Sequence, residues 1–340
     1  MQRQDRAVSV VIPVYNSAAT LPALLARLTP VLASLGSSFE VILVNDGSRD
    51  ASWNTIVELA PQYSFVHGIN LMRNFGQHNA LLAGIRAARY PITVTMDDDL
   101  QHPPEELVKL VAKLDEGYDV VYGVPERLPH SPWRNLTSWL LKRMMASAVG
   151  VNEARKFSAF RAFRTEVRQA FARYQSPTVF LDVLLSWGTT RFGAVKVRHD
   201  QRKVGKSNYN VRKLLRMAVM LLTGFSTGPL RLASFVGFSF TCLGFVVLVY
   251  VLARSLVQGS VPGFPFLASI IALFSGAQLF ALGIIGEYIA AAHDRLMGRP
   301  IYVIREHAHF DMDSQSASEA RSAVVTSPGI GWTEGFTIDA

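Results

Sequence analysis

Ile92-Thr-Val-Thr-Met-Asp-Asp-Asp-Leu-Gln-His-Pro-Pro-Glu-Glu106 is the stretch on which the reading of this chain turns. Ile92 to Met96 is a short apolar run rich in β-branched residues, the pattern of a buried strand. It runs directly into three acids. Pro103-Pro104-Glu105-Glu106 then opens a helix, with proline and carboxylates in the first turn, where they suit the free amides and the helix dipole. A strand, a polar strand end and a helix make one unit of an α/β sheet. The same rhythm recurs upstream. Val8 to Pro13, Phe39 to Val44, Val66 to Met72 and Val120 to Gly123 read as strands; Leu21 to Leu35, Ala51 to Leu59 and Gln77 to Ala88 read as helices. The alternation predicts an α/β fold with a mostly parallel sheet covered by helices. Ligands of such sheets bind beyond the carboxyl ends of the strands. Tyr15-Asn16, Asn45-Asp46, Arg73-Asn74 and Asp97-Asp98-Asp99 all follow strands and are expected to converge on one crevice. Beyond Pro125, a loop to Ser131, a helix over Trp133 to Val149, a strand-like piece within Arg155 to Phe163 and a helix over Thr165 to Ala172 are expected. Phe157, Phe160 and Phe163 read as core.

Three adjacent carboxylates repel one another, and a divalent cation relieves the repulsion. Hard oxygen ligands suit Mg²⁺ or Mn²⁺, and such an ion would neutralise a diphosphate. If strand alternation continues through the triplet, Asp97 and Asp99 share one side and Asp98 points away. Alone, the triplet fits a solvated loop ahead of Pro104 equally well. Other constellations fail. Gly205-Lys206-Ser207 lacks the upstream glycine of a P-loop, since Asp200 stands there, and no strand precedes it. There is no GxGxxG and no GxSxG elbow. His67, His78, His102 and His130 do not have metal-ligand spacing. No internal repeat is visible.

The apolar residues are unevenly spread. Leu232 to Ala253 carries no charge and is bracketed by Arg231 and Arg254; Ser255 to Gly286 is also uncharged, with an apolar centre from Phe264 to Ile285. Each is long enough to cross a hydrocarbon core of about 30 Å as a helix. A pair of buried core helices is the competing reading. Pro262, Gly263 and Pro265 suit the turn between the two. Arg212, Lys213, Arg216 and Arg231 precede the first stretch and Arg295, Arg299 and Arg305 follow the second, so both ends are expected in the cytoplasm. Met1 to Arg6 is polar, and Val8 to Pro13 is too short for the apolar part of a signal peptide, which agrees with that orientation. The net charge is +8, with a basic concentration from Lys196 to Arg216. Its place just before a span favours membrane lipid headgroups over nucleic acid. Val211 to Leu222 reads as an interfacial amphipathic helix. Cys242, the only cysteine, falls inside the first span. The organisation expected is a catalytic domain at 1–210, a juxtamembrane region at 211–231, spans at 232–254 and 263–287, a cytoplasmic segment at 288–310, and a disordered tail at 311–340.

Val11-Ile-Pro-Val-Tyr-Asn16, Asn45-Asp-Gly-Ser48, Arg73-Asn-Phe-Gly-Gln-His-Asn79 and Asp97-Asp-Asp-Leu-Gln-His-Pro-Pro-Glu105 follow in order. Together they resemble the family 2 glycosyltransferases of GT-A fold. The nearer resemblance is to the polyprenyl-phosphate branch: bactoprenol glucosyltransferases, undecaprenyl-phosphate 4-deoxy-4-formamido-L-arabinose transferases and dolichol-phosphate mannose synthases. It continues through Arg202 to Tyr209, both spans, Gly286-Glu-Tyr288 and Arg299-Pro-Ile-Tyr302. The resemblance implies transfer of a sugar, with inversion, from a nucleotide-sugar, with a lean to UDP, onto a polyprenyl phosphate at the cytoplasmic membrane. It implies that Asp97, Asp99 and Gln101 hold Mg²⁺ or Mn²⁺ and the donor diphosphate. Pro13, Tyr15, Asn16 and Asp46 would contact the nucleoside, and Arg73, Asn74, Gly76 and Gln77, with Asp98, would shape the donor pocket. Arg127 and Arg134 would meet the acceptor phosphate, and Arg202 and Ser207 would close on the same site. A homo-oligomer, up to a tetramer, is also implied.

Three positions depart from the family pattern. Ser17 stands where an acid usually follows Pro-x-Tyr-Asn, and Asn45 where the first acid of Asp-Asp-Gly-Ser stands. Arg155, followed by Lys156, occupies the place of an aspartate ahead of Phe160-Arg-Ala-Phe-Arg164. A lipid phosphate is already largely ionised near neutral pH and needs little help from a base. Arg155 and Lys156 are therefore candidates to bind it. Two readings compete: transfer to a sugar of a lipid-linked glycan, and a nucleotide-sugar-binding membrane protein without activity.

Overall fold

A computed structural model describes residues 6–125, 158–200, 227–258 and 263–309. The expected helix at Trp133 to Val149, most of the juxtamembrane region and the tail lie outside the described residues.

The first half follows the predicted rhythm closely: β1 (Val8–Val14), α1 (Leu21–Leu35), β2 (Phe39–Asn45), α2 (Ser52–Leu59), β3 (Val66–Leu71), α3 (Gln77–Ala87) and β4 (Ile92–Thr95). A 3-10 turn over Pro104–Glu106 leads into α4 (Leu107–Leu114), followed by β5 (Val120–Pro125) and β6 (Arg161–Arg164). The segment Thr165–Phe171, expected as a helix, is 3-10 instead. Next come α5 (Leu181–Gly188), β7 (Phe192–Val197), the long helices α6 (Gly228–Gln258) and α7 (Phe264–Leu296), and β8 (Ile304–Ala308).

One sheet runs in the order β7-β5-β6-β4-β1-β2-β3-β8. β4, β1, β2 and β3 are parallel neighbours, as are β5 and β7. β6 is antiparallel to both β4 and β5, and β8 is antiparallel to β3. All seven residues of β1 are buried, because a parallel strand between two helical layers needs apolar side chains on both faces. Alternate residues serve the two layers. Val10, Ile12, Val41 and Leu43 pack with Leu21, Leu25, Leu28 and Leu32 of α1; Val11, Ile42 and Val44 pack with Leu81, Leu82 and Ile85 of α3 and Leu184 of α5.

α6 and α7 are long and apolar enough to cross a membrane, and almost none of either apolar window is buried. Phe235, Phe238 and Phe245 of α6 and Leu279 and Leu282 of α7 are each more than 60% exposed. A core helix would have covered these side chains, so that competing reading fails. Phe240 and Phe274 meet edge to face at 5.8 Å between the two helices. After α7 the chain returns to the sheet, and β8 covers the β3 edge.

Candidate active site

The crevice is built at the carboxyl ends of β1, β2 and β4 and the loop after β3. Pro13 is buried within β1 beside Val44, so the exposed surface begins at Tyr15, which is 45% exposed. Asn16 takes a left-handed conformation (φ +55°) and joins this loop to the next. Its amide donates to Ser48 Oγ (3.0 Å), and its Oδ1 accepts the Arg49 amide (2.8 Å). The Ser17 amide donates to Ser52 Oγ at 2.8 Å.

Asp46 is 3% exposed, and its two oxygens accept the amides of Phe75 (2.7 Å) and Gly76 (2.9 Å). Burial pushes its carboxyl above the ordinary range, while the two amides pull it back. Asp46 therefore clasps the loop after β3 rather than facing outward. Gly47 makes this fit possible. At φ +61°, a Cβ there would lie 2.4 Å from the Asn74 nitrogen and 2.5 Å from the Arg73 carbonyl carbon. The clasp turns the chain through Gly76 (φ +99°), which starts α3. Arg73, exposed at the rim, lies over the Phe75 ring at 4.7 Å, and Asn74 is exposed beside it.

β4 stops at Thr95, so the acidic triplet lies in a turn and strand alternation does not reach it. Asp98 is not directed away as a spectator. Its Oδ2 accepts the Tyr15 amide (3.3 Å), and it is hydrogen-bonded by the Ser17 side chain. Burial raises its carboxyl above the usual range, and those two bonds oppose the rise. Asp97 Oδ1 accepts Gln77 Nε2 at 2.7 Å. Asp99 Oδ1 accepts the amide of Gln101 at 3.1 Å, across Leu100 at φ +59°.

The structure adds residues that spacing did not reveal. His102 is 8% exposed, stacks on Phe160 at 5.2 Å and lies 4.9 Å from the ring of His199, just beyond β7. Its Nδ1 is buried and has no hydrogen-bond partner among the described residues. Burial, then His199, lowers its pKa to about 4, and Asp99 opposes that. The two histidines are too far apart in sequence for a spacing rule to join them. Behind the triplet, buried Arg161 is paired with Asp182 and donates to Thr95 Oγ1 at 3.1 Å; the Tyr122 hydroxyl donates to Asp182 at 3.0 Å. His78, beside Gln77, accepts the Leu181 amide on Nδ1 at 3.4 Å, and burial lowers its pKa to about 4.

The Ser17 and Asn45 departures have physical reasons. An acid at position 17 would face the Asp98 carboxylate. Asn45 is buried, and its Nδ2 donates to Asn70 Oδ1 (2.8 Å), whose Nδ2 donates to Glu306 (2.8 Å) on β8. An amide completes this ladder across three strands; a carboxylate at 45 would not.

Among the described residues, no three His, Cys, Asp or Glu gather closely enough to hold a metal by themselves. Asp97, Asp99 and Gln101, half-buried in and just after the acidic turn, carry hard oxygens. Such a partial set suits Mg²⁺ or Mn²⁺, which keep coordination positions for substrate phosphates. Arg127, Arg134, Arg155, Lys156, Arg202 and Ser207 lie outside the described residues.

Residues 9–171 match the Glycosyl transferase family 2 pattern. The undecaprenyl-phosphate 4-deoxy-4-formamido-L-arabinose transferase of Shewanella sediminis is 37% identical over 304 residues, covering 88% of this chain and 92% of that one. The enzyme of the same description from Proteus mirabilis is 37% identical over 304 residues, covering 88% and 93%. Among solved structures, glucosyl-3-phosphoglycerate synthase of Mycobacterium tuberculosis, in complex with Mn²⁺, UDP and glucosyl-3-phosphoglycerate, aligns with a TM-score of 0.45 at 19% identity, over 64% of this chain and 78% of that one. The match to the transferases covers too much of the chain to stop at the sheet. The acidic turn, the clasped loop after β3 and the two long apolar helices thus sit in a chain that belongs to the family 2 glycosyltransferases, within their polyprenyl-phosphate branch.

Proposed function

We propose that this enzyme transfers a sugar from a UDP-linked donor to an undecaprenyl-type phosphate, with inversion at the anomeric carbon, at the cytoplasmic face of the inner membrane. The observation that carries the reading is the identity of 37%, along 88% of the chain, with an undecaprenyl-phosphate 4-deoxy-4-formamido-L-arabinose transferase. The exposed Tyr15 ring and Asn16 meet the nucleoside, and Pro13 and Asp46 support them from beneath. Asp97, Asp99 and Gln101 hold a divalent ion, which when bound offsets the charge of the departing diphosphate. Gln77 fixes the orientation of Asp97, and Asp98 locks the acidic turn to the β1 loop. Arg73, Asn74 and Gly76 form the wall of the donor pocket. A phosphate oxygen of the lipid attacks the anomeric carbon in line, and the carbon–oxygen bond to UDP breaks. The nucleophile arrives ionised, so no carboxylate base is required. Arg127, Arg134, Arg155, Lys156, Arg202 and Ser207 bind and orient the acceptor phosphate, for which the arginine fork is suited. The working unit is a homo-oligomer.

Equilibrium titration of the full chain with UDP- and GDP-sugars, each with Mg²⁺, Mn²⁺ or chelator, tests the donor half. A UDP-sugar is expected to bind in a metal-dependent way, weakened at least about ten-fold by Asp99→Asn. Equal binding of both nucleotides, or binding indifferent to chelator, contradicts it. For the acceptor half, Arg155→Ala is expected to raise the KM for lipid phosphate; unchanged KM and turnover remove Arg155 from the site.

A further inference from the structure

A second cavity lies away from the crevice, where the sheet domain meets the foot of α7. Its volume is about 890 Å³, and Arg173, Tyr174, Trp187, Thr227, Tyr288 and Arg295 line it. None of the crevice residues described above borders it. Two features give it a chemical character. No carboxylate lines it among the described residues, while both arginines are exposed at its wall. Aromatic rings, among them Tyr174, Trp187 and Tyr288, share the rest of the lining with small and uncharged polar residues. Tyr174 and Trp187 meet edge to face at 5.5 Å, Trp187 is 52% exposed, and Arg295 is close enough for its charge to act on the Tyr174 phenol.

Position along α7 bears on the occupant. The charge-free part of α7 ends ahead of Glu287, and Ile285 is its last large apolar residue. Tyr288 lies three residues on, about 4.5 Å along a helix. That places it within the polar layer, roughly 5–7 Å thick, that flanks the hydrocarbon core. Arg295 lies two turns further on the same helix face, about 10 Å beyond Tyr288, and a long side chain tilted toward the helix N-terminus reaches back toward that layer. Aromatic rings at this level are typical anchors, and arginines on the cytoplasmic side attract anionic headgroups. Thr227, at the start of α6, brings the first span to the same cavity.

We propose that this cavity binds the phosphodiester headgroup of an anionic bilayer phospholipid, between Arg173 and Arg295. The lipid would wedge the sheet domain against the foot of α7 and fix the height of the crevice above the membrane. The acceptor's monoester is not the intended occupant, because its phosphate must reach the crevice. The inference rests on the membrane-bound reading of α6 and α7.

The test uses the full chain reconstituted in phosphatidylcholine vesicles with and without phosphatidylglycerol, then extracted for native mass spectrometry. The wild type is expected to retain phosphatidylglycerol in preference to phosphatidylcholine. Arg173→Gln with Arg295→Gln should lose roughly 30-fold of that preference, on about 1 kcal/mol per basic group near the surface. The corresponding Lys pair should keep most of it, and UDP-sugar binding should not change. Brominated phosphatidylglycerol should quench wild-type fluorescence more than that of Trp187→Phe. An unchanged preference in the Gln pair overturns the proposal. So does one-for-one displacement of the phospholipid by polyprenyl phosphate with a raised acceptor KM in the Gln pair, which would make the cavity the acceptor's. A chain that fails to float with vesicles overturns the membrane reading itself, whereas one that floats without lipid preference overturns only this inference.

Discussion

Arg161 shows how much of this site depends on side chains that never meet substrate. It is 2% exposed, and its partner Asp182 is also buried. Removing one member of such a pair leaves the other charged and alone. Arg161→Met is therefore predicted to cost about 3–5 kcal/mol in urea unfolding. His78 gives a pH signature. Its pKa is about 4 in the fold against 6.5 in a free chain, so the unfolded state binds more protons between those values. Stability is then full above pH 6.5 and falls as pH drops toward 4. The contribution is roughly 1–3 kcal/mol, and His78→Gln should flatten that part of the urea-midpoint profile. The acidic triplet was legible in the sequence, but the role of Asp98 was not. Alternation applies only inside a strand, and β4 ends two residues before Asp97.

At the scale of elements, the loop after β3 is held by Asp46 and seated on Gly47. Gly47→Ala would drive a methyl into the backbone at Arg73 and Asn74 and strain a positive φ. Donor affinity measured by titration is predicted to fall at least about ten-fold, with a loss of roughly 1–3 kcal/mol in stability. Strands β1 to β4 and their helices could be read from the chain because each buries on both faces and repeats apolar residues locally. β7 and β8 could not. Phe192-Gly-Ala-Val-Lys-Val197 carries a glycine and a charge, and Ile304-Arg-Glu-His-Ala308 is mostly polar. Their strand character comes from partners distant in sequence: β5 for one and the β3 edge for the other. The pairing of His102 with His199 was hidden for the same reason.

At the scale of the molecule, the chain leaves the sheet, forms two long apolar helices and returns as β8. The ladder Asn45–Asn70–Glu306 ties that return to the loop bearing Asp46. Deleting β8 would expose the β3 edge and strand Asn70. Truncation before Ile304 is predicted to lower the thermal midpoint and promote association, seen by light scattering. On the proposed function, the two long apolar helices would hold the crevice beside an acceptor confined to the bilayer. The most direct test is a turnover assay of the reconstituted full chain with undecaprenyl phosphate, Mg²⁺ or Mn²⁺, and labelled UDP-sugars. A mild-acid-labile, sugar-bearing lipid of inverted anomeric configuration, absent with Asp97→Asn and Asp99→Asn, is the result predicted. Label in a polymer, or none in lipid with any donor, would contradict the account.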